Sequence, residues 1–332
     1  MVKKSKIIWI ALILIGFAAT LVAGEYPPSP SLYYLFAYFK DKEAKEPVGK
    51  KSRWGGAGVR FAWSADGFQW KKVAGGRRFF TPTVSRMVRD PFIAQGPDGV
   101  FHLVWTTGWE DRGIGYAASS DLIHWQNERI LPVMAHEPNV MNCWAPEIFY
   151  DHATGQFLIF WSSTVPGRFP ETTGAGDNGY NHRIYSTATA DFKTLAPPQL
   201  LYDPGFICID ADLVKTGDRY IMFLKNETLH PPAKFIVLAV SDHAQGPYGP
   251  ASERLSPAGV WAEGPSAIQI RGEWLVYFDE YVIHQYGVIA SKDLRHWEDR
   301  SARLHLPRGA RHGNIFAVSS EILRKMKIGA RH

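Results

Sequence analysis

The chain repeats itself, and the period of the repeat limits the fold more than any other feature of the sequence. The phrase Ser-x-Asp-x-x-x-Trp occurs at 64–70 (SADGFQW), 119–125 (SSDLIHW) and 291–297 (SKDLRHW), with degenerate copies around Asp191 and Asp242. The five aspartates, at 66, 121, 191, 242 and 293, are 55, 70, 51 and 51 residues apart. Each is preceded by an alternating, strand-like run: VRFAWS, IGYAAS, RIYSTAT, FIVLAVS and YGVIAS. Downstream of each comes a polar tip that leads into a short apolar strand. The tips are Arg89-Asp90-Pro91, Trp144-Ala145-Pro146-Glu147, Ile209-Asp210-Ala211-Asp212, Ala262-Glu263-Gly264-Pro265 and Arg311-His312-Gly313-Asn314. Four tips are followed by a second strand, but the fifth is followed only by the C-terminal tail. Conversely, Tyr33–Phe39 has a strand pattern and no tip of its own. A period of this length, with several short strands per unit, implies an all-β chain folded as one five-bladed β-propeller. The N- and C-terminal strands then share the last blade, which removes the free edges of an open array. The charged stretch Lys40–Lys51 reads as a solvated hairpin loop, and the Gly- and Thr-rich insertion at 167–181 belongs on one rim.

Charge narrows the partners. The formal net charge is +5, but Lys3, Lys4 and Lys6 lie at one end and Arg324, Lys325, Lys327 and Arg331 at the other. Neither end contains an acid, so residues 25–323 are close to neutral and slightly acidic. A nucleic-acid-binding face, which needs basic residues clustered on the folded body, is not expected. Residues 1–24 read as a signal peptide: three lysines, the uncharged run from Ile7 to Ala23, then Val22-Ala23-Gly24 as a cleavage site. An uncleaved anchor is the alternative reading of that segment. The expectation is a secreted or periplasmic domain over 25–332, monomeric and free of the membrane after cleavage. Only two cysteines occur, Cys143 and Cys208. No disulfide framework is needed by a chain this long, although export leaves one bridge open.

The tips carry the candidate chemistry. In a propeller the innermost strands line the central channel, so their first residues converge at one mouth. The convergent set is Asp90, Glu147, Asp210 or Asp212, Glu263 and His312. Carboxylates facing one cavity repel each other, which raises the pKa of some of them. That separates a protonated acid from an ionised base, as glycosidic hydrolysis requires. Trp144 and Trp261 beside the tips suit stacking on sugar faces.

The ordered set RDPFI, NCWAPEIFYD with GQFLIFWSS, CIDADLV, AEGPSAI and RHGNI resembles glycoside hydrolase family 43, over about residues 30–320. Those five-bladed propellers cut arabinose- and xylose-containing glycans. The resemblance implies Asp90 as general base, Glu263 as general acid and Asp210 as the residue that orients the acid and tunes it. Asp210 is chosen over Asp212 on the Ile-Asp phrase, and only one of the two is expected to point into the channel. The implied mechanism is single displacement with inversion. Arg89, Asn142, Trp144, Glu147, Trp105 and His312 are the implied substrate-binding residues, Glu147 meeting sugar hydroxyls or Arg89. No cofactor is required; His312 resembles the family's axial histidine, beside which a structural calcium ion can sit. Rival readings are a related hydrolase for galactosyl or galactofuranosyl ends, a glycoside phosphorylase with a basic pocket at Arg89 and Arg311, and a carbohydrate-binding propeller without catalysis.

Overall fold

Alternation of side chains along each strand determines how the sheets pack. In the strand Leu32–Phe39, Leu35 and Ala37 point to one face while Phe36 and Tyr38 point to the other, and all four are fully buried. In Gln156–Ser163, Phe157, Ile159 and Trp161 face one side, and Leu158 and Phe160 face the other. A sheet apolar on both faces must be covered on both. A computed structural model, which describes residues 32–48 and 51–328, meets that demand with five small antiparallel sheets arranged as a five-bladed propeller.

From the channel outward, blade I is Arg89–Gln95, Phe101–Thr106, Ile114–Ser119 and Gln126–Leu131. Blade II is Trp144–Asp151, Gln156–Ser163, Arg183–Thr189 and Gln199–Tyr202, and blade III is Cys208–Thr216, Arg219–Asn226 and Phe235–Ser241. Blade IV is Glu263–Ile270, Glu273–Glu280, Gln285–Ser291 and Glu298–Asp299. Blade V closes the ring with strands from both ends of the chain, Arg311–Ser319, Leu32–Phe39, Arg60–Ser64 and Lys71–Lys72. Within it Phe36 pairs with Ile315 on one side and Ala62 on the other, the closure expected from the unpaired fifth tip. Each inner strand touches the inner strands of both neighbouring blades, and five apolar clusters fill the five gaps between neighbouring blades.

The Ser-x-Asp repeat proves to be a turn. Asp66 accepts the backbone N–H groups of Phe68 and Gln69, Ser64 Oγ accepts that of Gly67, and Trp70 Nε1 donates to Gly67 O. Asp121, Asp191 and Asp293 accept the equivalent backbone pairs. These aspartates satisfy the backbone as it leaves the third strand of the blade, remote from the channel. Blade III breaks the pattern, its outer edge being closed by residues 249–255 through Gly249, Ser252 and Leu255 N–H donors.

Three further features bear on the sequence expectations. The 40–51 stretch contains part of an antiparallel hairpin, Ala44–Val48 on Lys51–Gly55. The C-terminal tail is not plain: Ser320–Ile328 is a helix whose Leu323 and Met326 are buried against the gap between blades V and I. Cys143 and Cys208 are free and lie in different gaps, on opposite faces of blade II. Burial pushes both thiols up to about 12, and no bridge joins them. The signal-peptide reading of 1–24 lies outside the described residues.

Blade V is the seam of the molecule. Phe36 meets Tyr38, Trp70 and Tyr286 there, with ring centroids 5.3–6.2 Å apart. Phe36→Ala is expected to cost about 3–5 kcal/mol in urea unfolding, read as a fall in midpoint at constant slope.

Candidate active site

Four inner strands break their ladders at the same place. Pairing with the second strand slips between Arg89 and Phe92, Trp144 and Glu147, Ile209 and Asp212, and Glu263 and Ser266. The first residue inside each slip is left-handed: Asp90 (φ +49°), Ala145 (+46°), Asp210 (+56°) and Gly264 (+56°). A left-handed residue costs energy unless it is glycine, so the surrounding bonds must hold it. They come from the neighbouring blade. Ala145 N–H donates to Thr106 Oγ1, Asp210 N–H to Ser162 Oγ and Gly264 N–H to Asp210 Oδ2. His312 N–H, at the corresponding position of blade V, donates to Asp279 Oδ2. Two residues further in, a second ring stitches the blades: Asp212 accepts Ala267 N–H, Ser266 accepts Ile315 N–H, and Asn314 bonds both backbone groups of Ile93.

The tips therefore lie at different levels. Asp90, Asp210 and His312 share one, Glu263 stands one residue nearer the mouth, and Glu147 and Asp212 lie two residues deeper. Asp90 and Asp210 are 8% and 4% exposed, while the Glu263 side chain keeps 17% of its surface.

Charge at the middle level centres on His312. Its Nδ1 lies 3.2 Å from Asp90 Oδ1. Burial alone would lower its pKa, but Asp210, Asp90 and Glu263 raise it to about 9, so the ring is an imidazolium at neutral pH. Burial would raise Asp90, yet the His312 and Arg89 charges and the Thr106 hydroxyl bring it down to about 2. Asp90 is a fixed carboxylate. Asp210 goes the other way, to about 6, because burial and the charges of Glu263 and Asp90 outweigh His312 and Lys225. Glu263 is held by ionic contacts, Lys225 Nζ at 3.2 Å and Arg311 Nη2 at 3.6 Å. Arg311 also donates to the buried Asp279, itself lifted to about 6 by burial.

The deeper level holds a carboxylic acid pair. Burial and the charges of Asp212 and Asp210 push Glu147 well above its usual range, so it stays protonated and hydrogen-bonds Asp212, which burial lifts to about 7. Both Asp210 and Asp212 thus join the channel cluster, where one alone was expected to point inward. The kink turns the Asp210 carboxylate to Gly264 N–H on blade IV, while Asp212, where the ladder resumes, accepts Ala267 N–H of the same blade.

Other expectations change as well. Trp105 is not a sugar-facing wall. It is fully buried in the gap between blades V and I, 4.9 Å from Phe80, with Nε1 bonded to Ser85. Asn142 is also fully buried, its amide spent on Ser162 O and Thr164 N–H. Glu147 meets Asp212 rather than Arg89 or a sugar, being 3% exposed. Arg89 does stand at the mouth, over the rings of Trp109 and Phe39 and 3.3 Å from Asp41. Trp144 lines a cavity of about 430 Å³ with Trp54, Trp109, Tyr180, His182 and Glu227. The 167–181 insertion supplies part of that cavity's wall, on the rim where it was expected.

Among the described residues no group of three or more His, Cys, Asp or Glu side chains is arranged to hold a metal ion. The carboxylates around His312 are spent on its ring and on backbone N–H groups and do not converge as a calcium cage would.

A family model described as a probable glycosyl hydrolase domain matches residues 30–323. The chain belongs to this family, related to glycoside hydrolase family 43. A curated α-L-arabinofuranosidase of Bifidobacterium longum subsp. longum is 27% identical over 164 residues, 42% of this chain but 15% of that protein. The match thus spans a small part of that relative's length. An α-L-arabinofuranosidase from Clostridium thermocellum has the same fold, with a TM-score of 0.55 at 14% identity over 79% of this chain and 86% of its own. A Cellvibrio cellulosa α-L-arabinanase complexed with arabinohexaose gives 0.53 at 15% identity, over 80% and 97%.

In this family 43-related domain, sequence reasoning missed Lys225, Asp279 and Glu227. Lys225 and Asp279 each sit opposite a tip residue, Ile209 and Glu263, near the end of an otherwise apolar second strand. A charge closing such a run was the available signal.

Glu147 offers a test of the protonated pair. An acid whose folded pKa is raised contributes stability below its unfolded value, about 4.3, and that contribution is lost as pH rises. Glu147→Gln keeps a donor for Asp212 without the ionisable proton. The melting temperature of the variant relative to wild type should therefore be higher at pH 8 than at pH 4. An unchanged difference would show that Glu147 is ionised.

Proposed function

We propose that the chain is a glycoside hydrolase that releases arabinofuranosyl or xylosyl residues from glycans by single displacement with inversion. One observation carries the reading: the Asp90 carboxylate on blade I, held by His312 and Thr106, faces the same channel mouth as the more exposed Glu263 on blade IV, with the buried Asp210 between them on blade III. Asp90 is the general base, and the Thr106 hydroxyl and His312 fix its carboxylate to take a proton from water. Glu263 reaches the leaving oxygen because it stands nearer the mouth than Asp210. Asp210 stands beside it with a carboxyl that burial and the neighbouring Glu263 charge raise to about 6, and Glu263 delivers the proton to the leaving oxygen. Inversion requires the base and acid carboxyls to stand about 6.5–9.5 Å apart, leaving room for the water. The expected site of action is outside the cytoplasm, on oligo- or polysaccharide, by a monomer. A phosphorylase fits less well, because Arg89 and Arg311 both pair with Asp41 and a phosphate would compete with that carboxylate.

A screen of nitrophenyl pentosides and furanosides, with the product anomer followed by NMR, tests the activity and the stereochemistry together. Glu263→Gln and Asp90→Asn should each lower kcat by about 10²–10⁴-fold. Near-wild-type turnover by either would sink the assignment, and turnover that requires phosphate would favour the phosphorylase.

The pH profile tests Asp210. Asp210 ionises near its value of about 6, so kcat/KM should change through that range. Asp210→Asn cannot ionise, and that step in the profile should disappear. A step that stays in place would separate Asp210 from the reaction.

A further inference from the structure

The buried charges nearest Glu263 are not all used by the reaction proposed above. Lys225 and Lys234 are 1% and 3% exposed, and both point at one carboxylate, Glu227. Lys225 Nζ lies 2.6 Å from Glu227 Oε2, Lys234 bonds Oε1, and the Lys225 ammonium also sits 4.4 Å over the Tyr281 ring. Two desolvated cations of this kind demand an anion, and they hold that anion in one place. The Glu227 side chain is still 17% exposed and forms part of the wall of the 430 Å³ cavity.

The rest of that cavity is aromatic and rigid. Trp109 and Trp144 meet at right angles with centroids 5.5 Å apart, and Trp144 Nε1 donates to Trp109 O. Tyr180 stacks on His182 at 4.9 Å, and burial lowers His182 to about 3, leaving a neutral ring. The insertion that carries Tyr180 is anchored by the fully buried Arg183, which bonds Asn181, Thr172 and Asp203 and lies over Phe169. Leu229 and His230 N–H groups donate to Ala175 O, tying the chain just after Glu227 to the same insertion. The wall is therefore in place before any ligand arrives.

We propose that Glu227 is a substrate-binding residue, its fixed carboxylate accepting hydroxyl groups of a neutral sugar ring seated among Trp54, Trp109, Trp144, Tyr180 and His182. The inference rests on the glycan-directed reading above. Aromatic faces bind the C–H face of a sugar, and a pre-positioned carboxylate takes its hydroxyl protons at little ordering cost. Neutral rings are selected because Asp177 also lines the cavity, so a uronate or phosphate would meet two carboxylates. Lys225 ties this seat to Glu263, since one ammonium holds both acids.

The test is tryptophan fluorescence of the whole protein titrated with L-arabinose, D-xylose and an arabino-oligosaccharide, with no turnover required. Wild type should be quenched saturably, and Glu227→Gln should weaken binding at least about tenfold, the scale of a lost charged hydrogen bond. Where hydrolysis is measurable, Glu227→Gln should raise KM much more than it lowers kcat. The single variant leaves one lysine uncompensated, so the double variant Glu227→Gln with Lys234→Met, which removes one charge of each sign, is measured beside it. It should fold and remain equally weak. Wild-type affinity in a folded variant, or no quench of wild type by any of the three probes, overturns the proposal. Glu227-dependent binding by a protein that hydrolyses no glycoside would sustain the proposal and remove the hydrolase reading instead.

Discussion

The left-handed break at the start of the inner strands is the constraint on which the site depends. Asp90 and Asp210, the left-handed residues at two of these breaks, stand at one level beside the His312 ring. Gly264 shows how tight the arrangement is: a Cβ there would sit 2.3 Å from the His312 ring. Glycine at this position is required both by φ and by the approach of the imidazole. Ala145, Asp210 and Gly264 are held by N–H bonds to the neighbouring blade and Asp90 by its contact with His312, so the site forms only when the ring closes.

Closure also makes the electrostatics workable. The channel holds Asp90, Asp210, Asp212, Glu147 and Asp279 almost without solvent, and that many buried charges of one sign are not sustainable. Two remedies are used. His312, Arg311 and Lys225 supply positive charge at the mouth and middle levels, while Glu147 and Asp212 share a proton at the deeper one. The same economy divides the labour among chemically alike groups. Asp90 beside an imidazolium is an anion at any ordinary pH, and Asp210, one blade from Glu263, holds its proton to about 6.

The five tips, the shared blade and the rim position of the 167–181 insertion were legible in the sequence because repeats and alternation are local patterns. Trp105 and Asn142 were misplaced because a tryptophan near a tip has the same sequence signature whether it faces sugar or an inter-blade gap. That both Asp210 and Asp212 face the channel was not legible, because nothing in the sequence marks the left-handed kink at Asp210. Lys225 and Glu227 were passed over inside an apolar strand pattern, since their partners Glu263 and Lys234 lie elsewhere in the chain.

Blade number, the two-faced apolar strands and the order in which the tip acids meet the channel are written in the chain alone. All of them follow from periods of two residues and of about fifty, which the chain carries in its own order. Which acids are ionised, which tryptophans reach the mouth and where the aromatic pocket opens were settled by the folded arrangement. Those properties depend on burial and on charges supplied by other blades. In a propeller the neighbour that sets a residue's pKa is typically more than fifty residues away, as His312 is from both Asp90 and Asp210.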